Sequence, residues 1–220
     1  MVEDSNFIYN KKLAKDILTG LFLSLFEDAI CRGEINSSEI NVQYFNDLYN
    51  NLKTDVENKK IEWRFGINYT DSLLKEAKKY LSSNNYQLTI VLYATWIEHW
   101  INDIIQFAGI QKGLNNKEII SLIKSVNNES KYSWLLPLFD LPRISEPYKK
   151  KIKKVIDLRN SFIHYKWTTK TEEEMDKEDK EYEKACIDAV KIIKYLKTYK
   201  SKNIFNRKKI EKIVRNNISI

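Results

Sequence analysis

Apolar positions recur at helical spacing along most of the chain. Between residues 9 and 31, Leu13, Ile17, Leu21 and Leu25 form one i, i+4 row, and Leu18, Phe22 and Phe26 form a second. Together they make a wide apolar face on a first helix. Gly33, just past the last apolar residue, predicts its stop. Asn36-Ser37-Ser38 predicts a cap for a second helix over residues 39–57, with Val42, Phe45, Leu48, Tyr49 and Leu52 inward. Residues 61–65 alternate apolar and polar, too briefly to define a strand. The pattern then predicts a helix from Thr70 or Asp71 to Leu81, broken by Ser82-Ser83-Asn84-Asn85.

Residues 86–107 are apolar nearly all round, with Leu88, Val91, Leu92, Trp96 and Ile101 among them. That marks a central helix. Shorter helices are predicted at 116–126 and 132–136. Pro137, Pro142 and Pro147 confine the segment between to loops and helix starts. A helix over 146–165 follows. The acidic run Glu172-Glu173-Glu174-Met175-Asp176 predicts an exposed loop and helix N-terminus ahead of a helix over 180–200, with Tyr182, Cys186, Ala189, Ile193 and Leu196 inward. A basic helix or tail from residue 204 ends the chain. The expected fold is all-α, organised as an N-terminal helical hairpin (1–60), a main helical domain (67–200) and a basic C-terminal helix or tail (201–220). Five glycines and three prolines in 220 residues agree with long, rarely interrupted helices.

Charge narrows the partners. The formal net charge is +7 and the pI about 9.1, which suits a polyanion such as RNA. Only six of the 37 basic residues are Arg, and the chain is rich in Lys, Asn and Ile. An AT-rich genome yields the same bias, so the charge permits RNA without requiring it. Cys31 and Cys186 lie far apart with no CxxC spacing, and His99 and His164 are the only histidines. No metal site and no cofactor are expected. The N-terminus lacks an apolar signal region, and the apolar run at 17–30 is short and carries Glu27 and Asp28. A cytoplasmic protein without a membrane partner is expected.

The chemistry-bearing residues cluster in Arg159-Asn160-Ser161-Phe162-Ile163-His164. An imidazole titrates where both of its forms are accessible, and a guanidinium forks onto phosphate oxygens. At about 100° per residue, Asn160 and His164 share a helix face, about 40° apart, whereas Arg159 and His164 are about 140° apart. Upstream, Lys149, Lys150, Lys151, Lys153 and Lys154 form a basic row. Lys150, Lys153 and Lys154, with Lys166 beyond the histidine, are the candidate RNA contacts. Arg207, Lys208, Lys209, Lys212 and Arg215 form a second basic set.

The segment Ile156-Asp157-Leu158-Arg159-Asn160-Ser161-Phe162-Ile163-His164-Tyr165 resembles the signature of the HEPN superfamily, an Arg followed at four to six residues by a His, with a polar residue after the Arg. Ala94-Thr95-Trp96-Ile97-Glu98-His99-Trp100-Ile101-Asn102 resembles the long first core helix of these domains, which often carries an inward Glu. The resemblance covers about residues 67–196. It implies a HEPN-like helical bundle and a metal-independent endoribonuclease that uses the RNA 2′-hydroxyl as nucleophile. His164 would then be the acid or base and Arg159 the cation facing the phosphorane. Asn160 would donate to phosphate or hold His164 in one tautomer, and Glu98 would orient Arg159. The resemblance also implies a homodimer through the motif helix and a toxin or anti-phage role with an antitoxin or defence-system partner. Some relatives place a Tyr two residues after the His, where this chain has Lys166. Beside this reading, and a weaker one of a helical regulator using the basic C-terminal tail on DNA, stand two rivals. One is a catalytically silent HEPN-like module that dimerises or binds nucleotide or RNA. The other is a structural pair, with Arg159 bridging to Asp157 or Glu98 and His164 capping a helix end.

Overall fold

The computed structural model describes residues 2–35, 39–58, 69–164 and 169–218, with side chains described outside 2–10, 55 and 56. The described residues are all-α, without a strand. The segment at 61–65 and residues Asn36-Ser37-Ser38 lie outside them. The chain divides into two compact units, residues 1–66 with 200–220, and residues 67–199.

In the first unit, α1 (Val2–Cys31) packs against α10 (Arg207–Asn217), which also meets α2 (Val42–Glu57). The C-terminal basic helix therefore groups with the N-terminal pair. Phe22, Phe26 and Phe45 are buried, with Phe22 and Phe45 ring centroids 5.0 Å apart. Of the two apolar rows on α1, the one through Phe22 and Phe26 enters the core, while Leu13 and Ile17 are exposed. On α2, Val42 and Tyr49 are likewise exposed, against expectation, and Phe45 alone is fully inward. Gly33 ends α1 in the left-handed region at φ 71°. Its N–H bonds Ile30 O, and the Glu34 N–H bonds Ala29 O at 3.0 Å, a Schellman-type closure that satisfies two terminal carbonyls. Asn41 caps α2, its Oδ1 accepting from the Tyr44 N–H at 3.0 Å.

The second unit is built on α4 (Tyr86–Gln111). Its buried residues include Ile90, Tyr93, Ala94, Trp96, Ile97, Trp100, Ile101, Ile104 and Ile105, so apolar side chains surround it as the sequence predicts. Asn85 opens it, its side chain accepting from the Leu88 N–H. α3 (Thr70–Ser82) lies along α4, and α5 (Asn116–Ser125) crosses closely at Gly109, where a Cβ would come within 3.0 Å of Ile119. Asn115 and Glu118 form a reciprocal capping box at the start of α5.

After α5 the chain makes α6 (Asn128–Ser130), a π-helical turn over Lys131–Leu135, and α7 (Leu136–Leu138). α8 (Glu146–Ile163) begins with Pro147 in its first turn and packs on α4 through Ile152, Val155, Ile156 and Leu158. α9 (Glu172–Asn203) starts eight residues earlier than the apolar pattern predicts. The acidic run is wholly its first turns, the expected helix start without the expected loop. Thr171 and Glu174 exchange a capping-box pair there, with the Thr171 N–H donating to Glu174 Oε2 at 2.8 Å. That donation holds the Glu174 carboxyl below its ordinary range, and acidic side chains at a helix start oppose the macrodipole favourably. Tyr182, Cys186, Ala189, Ile193 and Leu196 are buried, and Tyr148 on α8 stacks on Tyr195 of α9 at 3.9 Å. No helix of the described residues is long and apolar enough to cross a membrane.

Candidate functional site

Where α8 crosses α4, two sequence-selected residues meet. Arg159 Nη2 donates to Glu98 Oε1, and both side chains are mostly withdrawn from solvent, with 18% and 23% exposure. The reason is geometric. Ile152, Val155 and Arg159 follow one another on the same face of α8, and that face is the one turned to α4. The same Glu98 oxygen accepts from Asn128 Nδ2 on α6. Lys131, at the start of the π turn, is 6% exposed and donates to Asn102 Oδ1 at 3.0 Å, one turn along α4 from Glu98. Burial lowers the Lys131 pKa from its ordinary value, and the Glu98 carboxylate partly restores it. A polar seam of Glu98, Asn102, Asn128, Lys131 and Arg159 thus runs between α4, the π turn and α8.

Asn160, one residue on, lies off the Arg159 face of α8. It is exposed and lines an open groove of about 530 Å³ with Asn128, Lys131, Tyr132, Lys153 and Asp157 among its walls. Tyr132 is nearly buried, and burial pushes its hydroxyl up to about 12. His164 is not inside a helix running to residue 165, as the sequence predicts. α8 ends at Ile163, and His164 is its C-cap at φ −98°, ψ 28°, its N–H bonding Asn160 O at 2.9 Å. The imidazole is exposed. The structure thus brings Arg159 and Glu98 together, puts Asn160 on the groove, and sets His164 in solvent one turn further on. Arg159 is thus drawn inward, while His164 stays exposed at the helix end. His99 is a surface residue.

The basic row on α8 needs correction as well. Lys151 pairs with Asp188 at 2.5 Å, Lys153 with Glu129 at 3.3 Å, Lys154 with Glu181, and Lys149 with Glu146. Of the candidate RNA contacts, Lys153 and Lys154 are therefore already engaged with carboxylates, and Lys153 sits on the other groove from Lys150 and Lys154. Lys166 lies outside the described residues. The Lys153 and Lys154 pairs are exposed and individually weak, so these lysines remain exchangeable onto a stronger anion. A second groove of about 510 Å³ runs between α8 and α9, where Lys150, Lys151 and Lys154 face Lys177, Lys180 and Lys184. In the first unit, Arg215 of the C-terminal set is tied to Asp16 at 2.8 Å and to Glu211 at 2.9 Å.

Sequence reasoning missed Lys131 and Asn128, which lie in a polar stretch between helices and carry no periodic signal. It also missed the lysines of α9. Their 177, 180, 184 spacing is a helical row, legible once the helix is known to begin at Glu172.

The fold and site define an all-α protein with a buried ion-pair seam beside an open polar groove. No protein-family profile, no curated protein and no solved structure matches the chain.

Proposed function

We propose that the chain is a metal-independent endoribonuclease of the HEPN type, cutting single-stranded or loop RNA. The observation that carries this reading is the arrangement on α8: a guanidinium held by Glu98, an amide on an open groove at the next residue, and a solvent-accessible imidazole one turn later. In the proposed reaction the RNA 2′-oxygen forms a bond to phosphorus as the bond to the 5′-oxygen breaks. His164 takes the 2′-hydroxyl proton or returns one to the departing 5′-oxygen. The products are a 2′,3′-cyclic phosphate and a 5′-hydroxyl. Arg159 and Asn160 supply donors for the charge that builds on the phosphorane. Because Arg159 turns inward onto Glu98 while His164 is exposed, the reading places the working centre at a homodimer interface through the motif helix. The exposed Phe162 and Ile163 beside His164 support it, since large apolar side chains bordering a motif suit burial against a second copy. A cytoplasmic toxin or anti-phage effector, with an antitoxin or defence-system partner, is the role this proposal implies.

The experiment is cleavage of RNA by purified protein in EDTA. His164→Ala and Arg159→Ala are each expected to abolish it, and the 3′ ends are expected to be cyclic phosphates. A requirement for added metal, or activity surviving both substitutions, refutes the proposal.

The inward turn of Arg159 onto Glu98 favours a second reading, a catalytically silent module that dimerises or binds nucleotide or RNA. In that case Arg159 is a structural bridge and His164 a helix cap. RNA retention without turnover in the same assay selects it.

A further inference from the structure

The seam beside the groove carries more positive than negative charge. Arg159 and Lys131 are withdrawn from solvent against one carboxylate, Glu98, and Lys131 spends only one of its three N–H donors, on a neutral amide. The groove walls repeat the imbalance, with Lys124, Lys131 and Lys153 against Glu129 and Asp157. A withdrawn charge without a counter-charge is costly, and the cost is relieved by an anion that reaches it. A further donor points to the same need. The Asn128 amide gives one hydrogen to Glu98, which leaves the other for a ligand on the groove it lines. The local backbone is also irregular. Lys131 opens a π turn, a conformation that is rare and concentrated at functional sites.

We propose that this groove is a binding site for a single phosphoryl group, with Lys131 supplying the charge and the Asn128 and Asn160 amides supplying neutral donors. The site shares Asn160 with the proposed cleavage centre but needs no step of cleavage. Phosphate binding holds whether or not the chain turns over RNA, so the two fail separately. At about 530 Å³ the groove admits a phosphate or one phosphodiester with its sugars.

The test is titration calorimetry on the full chain in metal-free buffer. The probes are inorganic phosphate and, separately, a dinucleoside monophosphate, each against chloride at equal ionic strength. Wild type is expected to bind inorganic phosphate specifically. Lys131→Met is expected to lose about tenfold in affinity while keeping or raising its melting temperature, because an apolar isostere replaces a buried charge. Lys131→Arg keeps the charge and retains most of the binding. The exposed Asn160→Ala variant, which leaves the packed face intact, weakens it several-fold. Tighter binding of the dinucleoside monophosphate identifies a nucleic-acid phosphodiester as the natural occupant, and equal or weaker binding identifies a free phosphate. Two results overturn the proposal: no phosphate-specific heat with wild type, or phosphate binding that Lys131→Met and Asn160→Ala both leave unchanged, which would be an adventitious ion only.

Discussion

Removing Glu98 is expected to cost far more stability than removing Arg159, although the two form one ion pair. Glu98 is the single carboxylate for two withdrawn cations. It bonds Arg159 and Asn128 directly and lies in the field of Lys131. Glu98→Gln therefore leaves both cations without that carboxylate's charge. Arg159→Met leaves a carboxylate that still holds the Asn128 hydrogen bond and the Lys131 field. Truncating one partner of a fully buried pair costs about 3–5 kcal/mol, and an exposed pair contributes about 0–1 kcal/mol. With about a fifth of each side chain still exposed, Glu98→Gln is expected to fall between, at about 2–3 kcal/mol. Arg159→Met loses one charged hydrogen bond but also removes an orphaned buried N–H, Nε. It is expected at about 1 kcal/mol or less.

Urea unfolding followed by tryptophan fluorescence measures both. Trp96, Trp100 and Trp134 lie in the unit containing the seam, so the signal reports mainly that unit. At slopes of about 1–3 kcal/mol per molar urea, Glu98→Gln should lower the midpoint by roughly 1 M and Arg159→Met by a third of that or less. Adding Lys131→Met to Glu98→Gln should recover part of the loss, because one of the two stranded cations is gone. Equal midpoints for the single variants, or a larger loss for Arg159→Met, would refute the idea that Glu98 is the shared counter-charge.

Alkaline lability is expected from buried weak acids. Burial pushes the Cys186 thiol from about 9 up to about 12, so its contribution is intact below pH 9 and drains away as pH rises towards 12. The slope approaches about 1.4 kcal/mol per pH unit for each such group. Tyr132, raised to about 12, adds its own loss above pH 10. Cys186→Ala should flatten the stability profile from pH 9 upward, measured by denaturation at each pH, and an unchanged profile would count against it. The α8–α9 groove makes a separate prediction for single-stranded RNA binding. Lys150→Ala and Lys184→Ala should each reduce the slope of log K against log salt by about 0.7 if each contacts a phosphate. Fluorescence anisotropy across a salt series reads this out, and unaltered slopes would remove the groove from the RNA path.

The helices were legible because their apolar periodicity is dense. α4 is apolar nearly all round and is the centre of its unit. Gly33 marks a helix end through a positive φ that any other residue would resist. Errors fell where burial is partial. Leu13 and Ile17 belong to a clean i, i+4 row, yet are exposed, because a 3.6-residue period with apolar residues on two faces does not say which face finds a partner. The start of α9 was misplaced because acidic residues have good helix propensity and a favourable macrodipole there, but give no apolar signal. Within the site, the meeting of Arg159 with Glu98 was foreseeable from an inward-facing Glu on the central helix. Lys131 was not. A lysine in an Asn- and Ser-rich connection reads as solvated. It lies at the start of a π turn that packs against α4, and a π turn has no short-range sequence signature.

Helix geometry alone separates Arg159 from His164 by about 140°, and the structure gives that separation a cause, since Arg159 faces α4 and His164 faces water. If both act on one phosphate, the His164 that completes a given Arg159 belongs to a second copy of the chain. A two-fold dimer then has two composite centres, each needing Arg159 from one protomer and His164 from the other. Mixing inactive Arg159→Met with inactive His164→Ala should restore cleavage. Random re-pairing makes about half of the dimers hybrid. Each hybrid holds one centre with both residues intact and one with both replaced, so about a quarter of wild-type activity should return. The mixture is prepared by co-expression, so that slow exchange between dimers does not mask the result. If both residues instead served a centre within one chain, every centre in every hybrid would lack one of them and the mixture would stay silent. A silent mixture beside an active wild type would therefore refute the composite centre while leaving the cleavage chemistry standing.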